Sequence, residues 1–254
     1  MFLKERQDAI ADLIALEGRV TVGELAQLFG VSDDCIRKDL KTLVEQGRAR
    51  KVYGGAIRPE SLADRMIMNR VDIHEPQKRA LAQKAYELVE ENSTIYLDCS
   101  STNHYLAELL ATGPKPVHVA SNMIDVLQVL AGRDHLQVTG IGGTVSGELN
   151  GFTGPQTLAM LEPLRFDAAF MGALGVDPKT GDVTTFDADD GMVKRAVLAR
   201  CQAAYLLIDS SKVGAWGTFS YATLDSFAGI VMEPEAKETA RGQVLAELQA
   251  PLLW

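Results

Sequence analysis

The sequence predicts an α/β chain in two parts: a small helical head with a short β-hairpin, then a larger domain with a mostly parallel sheet. Residues 1–58 contain three short helical patterns and a basic hairpin-like segment, whereas strand and helix patterns alternate from Gln77 onward. The charge also changes, from ten Lys/Arg against nine Asp/Glu over residues 1–58 to 15 against 25 in the remainder. We therefore predict domains at 1–58 and 77–254, joined by a linker at 59–76.

The composition excludes several classes of protein. The chain has 254 residues, 46% of them hydrophobic and 23% charged, as expected of a globular protein with a substantial core. It has no run of about 18 apolar residues, and its charged N-terminus lacks the apolar stretch of a signal peptide. Cys35, Cys99 and Cys201 are too far apart for a disulfide framework or a zinc site. We expect a cytoplasmic protein without a membrane partner.

The head is predicted to contain three helices. The second opens with Thr21 and Glu24 at the spacing of a capping box and ends at Gly30. Ser32 is a good N-cap for the third helix. The positions of the third helix that recur at helical spacing and should face the core are Ile36, Leu40, Leu43 and Val44.

The outer face of the third helix is basic, because Arg37, Lys38 and Lys41 lie at helical spacing from Asp34. Two helices around a tight turn, the second with a basic stripe, indicate a helix-turn-helix for double-stranded operator DNA. For this stripe, a merely solvated charged face is the alternative. Residues 48–56 predict a β wing that would contact phosphates. The predicted DNA-contacting residues are Ser32, Asp34, Cys35, Arg37, Lys38, Lys41, Arg48, Arg50, Lys51 and Tyr53.

These segments resemble the signature of the DeoR family of bacterial regulators. The resemblance implies a winged helix-turn-helix and a transcription regulator that acts as a repressor. Cys35 departs from the pattern, because the family usually has Thr there and a thiol is a weaker donor than a hydroxyl. The matching segments are Glu24-Leu25-Ala26, Val31-Ser32, Ile36-Arg37-Lys38-Asp39-Leu40 and Gly54-Gly55-Ala56.

From Gln77 onward, short β-rich segments alternate with helical ones, which predicts a largely parallel sheet with helices on both faces. The predicted strands are 94–98, 116–119, 136–141, 167–171, 204–209 and 227–231. The predicted helices lie near 77–91, 102–111, 122–131, 155–163, 189–202 and 234–248.

Small and polar residues follow the predicted strands, at the sheet edge where such folds bind ligands. Ser100, Ser101 and Thr102 open a helix whose free amides favour an anion. Lys212 would supply a counter-charge, and Asp98 would accept sugar hydroxyls. Ordinary helix capping and loop bracing are the alternatives for these residues. The predicted effector-binding residues are Asp98, Ser100, Ser101, Thr102, Ser121, Asn122, Gly142, Gly143, Gly172, Lys194, Asp209 and Lys212.

This part of the chain also resembles the DeoR C-terminal sensor domain, which is related in fold to ribose-5-phosphate isomerase and the CoA transferases. The resemblance implies a phosphorylated sugar, polyol or related phosphorylated metabolite as effector, and a carbohydrate-metabolism operon as target. Cys99, where Ser or Gly is usual, and the acidic segment 187–191 depart from the family pattern. The matching residues are 98–102, Ser121-Asn122, Gly142-Gly143, Phe152-Thr153-Gly154, 171–175, Lys194-Arg195 and 209–212.

Two other functions stay open at this point. One is a sugar-phosphate isomerase or transferase with a DNA-binding appendage, and the other is a protein-binding adaptor. We expect no enzyme, no cofactor and no metal site, because the histidines lack ligand spacing and no strand-helix GxGxxG occurs. A single recognition helix needs a second half-site, so we expect at least a homodimer. The carboxylates available as a general base are Asp98, Asp187, Asp190 and Asp209.

Overall fold

The computed structural model describes residues 3–17, 19–46, 48–52, 54–57, 66–247 and 251–254. The chain divides into two compact units, a head (Met1–Ser61) and a C-terminal unit (Leu62–Trp254). Residues 66–76, predicted as part of the linker, lie in the C-terminal unit. In the described ranges no helix is both long and apolar enough to cross a membrane.

The head is a three-helix domain with a small antiparallel sheet, as the sequence predicts for a winged helix-turn-helix. Its strands pair in the order β1-β3-β2, and β1 was not predicted. The wing strands β2 and β3 form the expected hairpin. The helices are α1 (Leu3–Glu17), α2 (Val22–Phe29) and α3 (Asp33–Glu45), and the strands are β1 (Arg19–Thr21), β2 (Arg50–Val52) and β3 (Gly55–Ile57).

Local capping chemistry explains where α2 and α3 begin and end. Thr21 and Glu24 form the predicted capping box at the start of α2, and Gly30 ends that helix with φ of 63°. Ser32 caps α3, its hydroxyl accepting a hydrogen bond from the amide of Cys35 at 3.4 Å. The buried apolar stripes of the helices then form a small core of their own.

The C-terminal unit contains a seven-stranded parallel sheet in the order β15-β14-β12-β9-β4-β5-β6. This confirms the predicted α/β class. Side chains alternate between its faces, so that Ile95 and Leu97 enter one core and Tyr96 the other. The strands are β4 (Thr94–Leu97), β5 (Val117–Ser121), β6 (Leu136–Gly140), β9 (Phe166–Gly172), β12 (Cys201–Leu207), β14 (Gly229–Val231) and β15 (Leu252–Leu253).

Helices cover both faces of this sheet. The predicted helix 234–248 is interrupted at Thr239. A 3₁₀ helix (Pro234–Glu238) precedes this residue and an α-helix (Ala240–Glu247) follows it. Further 3₁₀ helices lie at Ile67–Arg70, Ser210–Lys212 and Leu224–Ser226. The α-helices are α4 (Glu75–Leu88), α5 (Ser101–Thr112), α6 (Ile124–Leu130), α7 (Pro155–Leu161), α8 (Ala188–Leu198) and α9 (Ala240–Glu247).

Two small antiparallel sheets were not predicted. β7 (Thr144–Ser146) pairs with β8 (Gly151–Thr153), and β10 (Gly175–Val176), β11 (Asp182–Thr185) and β13 (Phe219–Thr223) form a three-stranded sheet. These strands are two to five residues long, too short for a clear alternating pattern. The pairing of β11 with β13 also joins segments more than 30 residues apart in the chain.

Candidate functional site

The recognition helix α3 presents the predicted basic stripe to solvent. Arg37, Lys38 and Lys41 are exposed, whereas Ile36, Leu40 and Leu43 are buried on the opposite face. Each exposed cation therefore stands on a rigid helix that is held by the core of the head. This is the arrangement by which a recognition helix places side chains in a major groove.

The stripe carries local ion pairs. Arg37 lies 3.2 Å from Asp34 and 3.9 Å from Asp33, and Lys41 lies 3.8 Å from Glu45. All of these side chains are more than half exposed, so water screens the pairs and each stabilises the fold very little. DNA phosphates or base edges would replace these partners at small cost.

Asp39 has a structural role that the sequence analysis did not anticipate. Its carboxylate accepts hydrogen bonds from Arg6 Nε at 2.7 Å and Gln7 Nε2 at 3.1 Å. Both Arg6 and Asp39 are buried. Arg6 also donates a hydrogen bond to Cys35 Sγ at 3.1 Å. The thiol of Cys35, in the first turn of α3, therefore faces α1. The position of Arg6 on the inward stripe of α1 is the sequence signal for this contact.

The wing exposes its basic residues. Arg50 and Lys51 are exposed on β2, and Arg48 is exposed and pairs with Asp8 at 2.7 Å. Tyr53, also predicted to contact DNA, lies outside the described residues. Ser32 and Asp34 are exposed at the start of α3, while Cys35 is half-buried. The described members of the predicted set thus lie on the recognition helix, its N-terminus and the wing.

A cleft in the C-terminal unit lies at the carboxyl ends of β4, β9 and β12. It encloses about 520 Å³, including the open space at its mouth. Seven of the predicted effector-binding residues line it, namely Ser100, Ser101, Thr102, Gly172, Lys194, Asp209 and Lys212. Its other lining residues are Arg70, Lys78, Cys99, Leu149, Ala173, Leu174, Thr185, Phe186, Asp190, Leu207 and Ile208.

The loop after β4 shapes one wall of the cleft. Ser100 is the N-cap residue of α5, yet its side chain forms no capping bond and its Oγ is buried without a hydrogen-bond partner in the described structure. The first amides of a helix lack intrahelical partners and favour an anion. Gly172 lies against this loop so closely that a Cβ there would meet Ser100 Cβ at 2.5 Å. A glycine is therefore required at this position.

A buried charge network forms the floor of the cleft. Lys194 donates to Asp98 and lies 3.8 Å from Asp190. Asp98 also accepts from the amide of Gly172 at 2.8 Å and from Asn103 Nδ2 at 2.7 Å. Asp98 is 1% exposed and does not line the cleft. The structure thus places Asp98 as a brace that connects β4, β9 and α8.

The charges of the network differ in their response to burial. Burial raises the pKa of Asp190 to about 6, against the opposing effects of Lys194 and the Thr185 hydroxyl. Burial lowers the pKa of Lys194, but Asp190 and Asp98 outweigh it and the net pKa is raised. Lys194 therefore stays protonated, and Asp190 is the group of the pair that titrates nearest neutrality.

Cationic side chains line the cleft near the end of β12, where Lys212 lies beside Asp209. Asp209 caps the 3₁₀ helix Ser210–Lys212, accepting a hydrogen bond from the amide of Ser211 at 2.9 Å. Burial raises the pKa of Asp209, but Lys212 and the Ser211 hydroxyl outweigh it, so the net pKa is lowered and the carboxylate stays ionised. Lys78 and Arg70, which the sequence analysis missed, line the cleft together with Lys212.

Four predicted residues lie at the same sheet edge but outside the cleft lining. They lie at the end of β5 or just after β5 and β6, and their polar groups bond within the fold. Ser121 Oγ donates to the Leu97 carbonyl at 2.8 Å, and Asn122 Oδ1 accepts from Tyr96 at 2.7 Å. Thr157 bonds to the carbonyl of Gly142 and leaves no space for a Cβ at Gly143. The described residues contain no cluster of three or more His, Cys, Asp and Glu placed to bind a metal.

Comparisons with known proteins agree with both units. The family model described as "DeoR C terminal sensor domain" matches residues 73–234, and that described as "DeoR-like helix-turn-helix domain" matches residues 6–62. The L-fucose operon activator of Haemophilus influenzae is 32% identical over 82% of each chain. The lactose phosphotransferase system repressor of Staphylococcus aureus is 31% identical over 92% of this chain and 93% of its own.

Solved structures resemble the fold more distantly. Ribose 5-phosphate isomerase A from Neisseria gonorrhoeae is 20% identical over 54% of this chain and 52% of its own, with a TM-score of 0.40. Translation initiation factor eIF-2B of Pyrococcus horikoshii OT3 is 12% identical over 90% of this chain and 86% of its own, with a TM-score of 0.44. These likenesses are too weak to support an inference about activity. The family matches across head and C-terminal unit show that the chain belongs to the DeoR family of transcriptional regulators.

Proposed function

We propose that this regulator is a repressor of a carbohydrate-metabolism operon, and that a phosphorylated sugar or related phosphorylated metabolite controls it. The main observation in support of this proposal is the cleft at the carboxyl ends of β4, β9 and β12. It combines the unpartnered Ser100 hydroxyl, the amide-rich start of α5 and the cations at the end of β12. Relatives named for lactose and fucose systems support a carbohydrate target.

The head supplies the DNA contacts in this proposal. Arg37, Lys38 and Lys41 on α3 would enter the major groove, and Arg50 and Lys51 of the wing would contact phosphates. One recognition helix reads only a few base pairs, so two chains would bind the two half-sites of an operator. We accordingly propose at least a homodimer.

The cleft suits a phosphate ester for electrostatic and geometric reasons. Neighbouring strands lie about 4.8 Å apart, so the ends of β4 and β12, with β9 between them, are separated by roughly 10 Å. If the anionic group of a ligand bound at the end of one of these strands, the sugar backbone of the same ligand could reach the end of the other. Hydroxyl and amide donors at the β4 end and cations at the β12 end provide both kinds of contact.

The described carboxylates give little support for an enzyme. Asp187 caps α8 and Asp209 caps a 3₁₀ helix, so each carboxylate accepts a hydrogen bond from a main-chain amide. Asp98 is held by three donors, and Asp190 accepts from Thr185 at 2.7 Å beside a lysine. A general base needs a lone pair directed at the substrate. We therefore propose that the cleft binds its ligand without converting it.

The test is a thermal-shift screen of phosphorylated and unphosphorylated sugars and polyols on the full chain. A ligand at 100 times its Kd stabilises the folded state by about 2.7 kcal/mol. We expect Lys212→Ala to weaken binding of the phosphate ester about 10- to 150-fold, since a hydrogen bond to a charged group is worth roughly 1.5–3 kcal/mol. Lys179→Ala, which changes an exposed lysine in a turn, is the matched control.

Two results would contradict the proposal. One is equal affinity of the wild-type protein for a sugar and for its phosphate ester. The other is unchanged ester binding by a folded Lys212→Ala variant. Binding to operator DNA without effector should survive in this variant, because Lys212 lies outside the head.

A further inference from the structure

The seven-stranded sheet ends on one side at β6, and the outer edge of this strand is open. In the described part of the chain, β6 pairs with β5 alone, in parallel register along its whole length. Each of its five residues is exposed or half-buried. An edge strand presents unpaired main-chain donors and acceptors, which makes it a template for a further strand.

The open main-chain groups at this edge belong to Val138 and Gly140. The amide of Ile141 donates to the carbonyl of Ser121 in β5 at 2.8 Å. Successive residues of a strand direct their main-chain groups to opposite sides, so Thr139 and Ile141 bond towards β5. Val138 and Gly140 therefore direct their amides and carbonyls away from β5. These two residues give the edge two donors and two acceptors.

β6 lacks the features by which natural edge strands are shielded from further pairing. Shielded edges carry charged residues or proline, contain a bulge or are very short. The sequence Leu-Gln-Val-Thr-Gly has no charge and no proline, and its register with β5 is unbroken. At the other end of the sheet, β15 has only two residues and is protected by its shortness. The edge of β6 is therefore the one suited to accept a strand.

An apolar row lies beside this edge, on the face of the sheet that α6 covers. Leu136 and Val138 are half-buried and pack against the core on this face. Leu127 of α6, also half-buried, lies over Gly140, where its Cδ1 would be 3.2 Å from an added Cβ. A strand added to β6 would cover this row and remove its apolar surface from water.

We propose that two copies of this chain associate through the edge of β6, joining their sheets edge to edge. This inference rests on the proposed function, which requires two chains for the two half-sites of an operator. A two-fold axis makes the paired strands antiparallel and brings the same surface of both copies together. The lack of charge in β6 favours a second copy as the partner, because the net charge of −9 on each chain opposes self-association elsewhere.

The open main-chain groups also fix the register of this pairing. With the axis at Thr139, Val138 of one copy lies opposite Gly140 of the other, and each such pair exchanges two hydrogen bonds. All the open donors and acceptors of Val138 and Gly140 are then used in both copies. With the axis at Val138, Gly140 would lie opposite Leu136, whose amide already donates to the carbonyl of Arg133 at 2.9 Å. The register centred on Thr139 therefore leaves the fewest groups unpaired.

Disulfide trapping in the full chain tests the interface and its register. The two Thr139 residues would form a non-hydrogen-bonded pair with Cα atoms about 4.5 Å apart, a distance that a disulfide spans. Thr139→Cys should therefore give a covalent dimer on mild oxidation, detected by non-reducing electrophoresis. Gln137→Cys is the matched control, because it lies on the same face of β6 but its two copies would be roughly 14 Å apart. The wild type, which has Cys35, Cys99 and Cys201, gives the background.

Sedimentation velocity measures how much the edge contributes to association. Val138→Pro removes an outward amide from each copy but no bond to β5, so the strand should stay in the sheet. We expect it to raise the Kd of the dimer about tenfold or more, because two of the main-chain hydrogen bonds between the copies are lost. Thr139→Lys should raise this Kd at least as much, since it places like charges opposite each other at the axis. Gln137→Lys, which adds the same charge away from the axis, is the control and should have a much smaller effect.

The outcomes separate this inference from the proposed homodimer. If the wild type sediments as a dimer but Thr139→Cys gives no more covalent dimer than Gln137→Cys, the chains associate elsewhere and this inference is wrong. A Val138→Pro or Thr139→Lys variant that keeps the wild-type circular dichroism and dimerises like the wild type would also contradict it. If the wild type stays monomeric with and without operator DNA, the proposed homodimer is wrong as well, and the edge is left for a strand of another protein.

Discussion

Asp190→Asn should stabilise the C-terminal unit at neutral pH, although it removes one member of a buried ion pair. Asp190 is 2% exposed, and its pKa is raised to about 6 from the ordinary 3.8. The folded state thus holds the Asp190 proton more tightly than the unfolded state. Ionisation then costs stability, and the full cost is present above pH 6 and is relieved as the pH falls towards 3.8.

The size of the effect follows from linkage. A shift from 3.8 to about 6 corresponds to about 3 kcal/mol of lost stability at pH 7.5 and to roughly half of that at pH 5.0. A neutral Asn removes this cost, while Lys194 keeps its bond to Asp98. The stability gained by Asp190→Asn should therefore shrink by roughly 1 kcal/mol from pH 7.5 to pH 5.0. The constant difference between Asn and protonated Asp cancels in this comparison.

Urea unfolding at the two pH values, without effector, measures the gain. Both tryptophans of the chain, Trp216 and Trp254, lie in the C-terminal unit, so their fluorescence reports its unfolding and not that of the head. A gain that is equal at both pH values would show that Asp190 does not titrate near 6. A loss of stability that is larger at pH 7.5 than at pH 5.0 would show that the carboxylate stabilises Lys194 more than its burial costs.

Three variants on the proposed DNA-binding surface and one in the core test the head. Arg37→Ala should weaken operator binding by about 1–3 kcal/mol and relax base preference at one position, measured by fluorescence anisotropy on operator and mutated duplexes. Lys38→Ala and Arg50→Ala, as phosphate contacts, should weaken all duplexes similarly and reduce the slope of log affinity against log salt by about one unit each. An unchanged affinity in all three would remove α3 and the wing from the interface. Asp39→Ala should lower the free energy of unfolding of the head by about 3–5 kcal/mol, because it leaves Arg6 buried without its carboxylate. A decrease of less than about 1 kcal/mol would show that this pair contributes little to stability.

Much of the head could be predicted from the sequence, because its determinants are local. Thr21 with Glu24, Gly30 and Ser32 set the helix ends through bonds that span three or four residues. The apolar spacing in α3 settles which side of that helix faces solvent. The exposure of Arg37 follows from this spacing, whereas the burial of Asp39 against Arg6 does not, since that contact spans 33 residues.

The alternation of strands and helices likewise predicted the parallel sheet and the edge at which its polar loops gather. The order of the strands is a tertiary property, and it decided which loops share the cleft. β4, β9 and β12 are neighbours, so Ser100, Gly172 and Lys212 meet, whereas the loops after β5 and β6 lie farther along the edge.

The sequence by itself thus determined the class of each unit, the recognition stripe and the candidate loops, because periodicity and capping act between residues close in the chain. Only the tertiary structure assigned Asp98 to a buried network and brought Lys78 to the cleft. The spacing of Lys78 from Leu81, Ala82 and Ala85 marks it as inward-facing, but spacing cannot show what lies opposite. Burial, and the electrostatics that follow from it, depend on which elements pack together, and no local pattern encodes that packing.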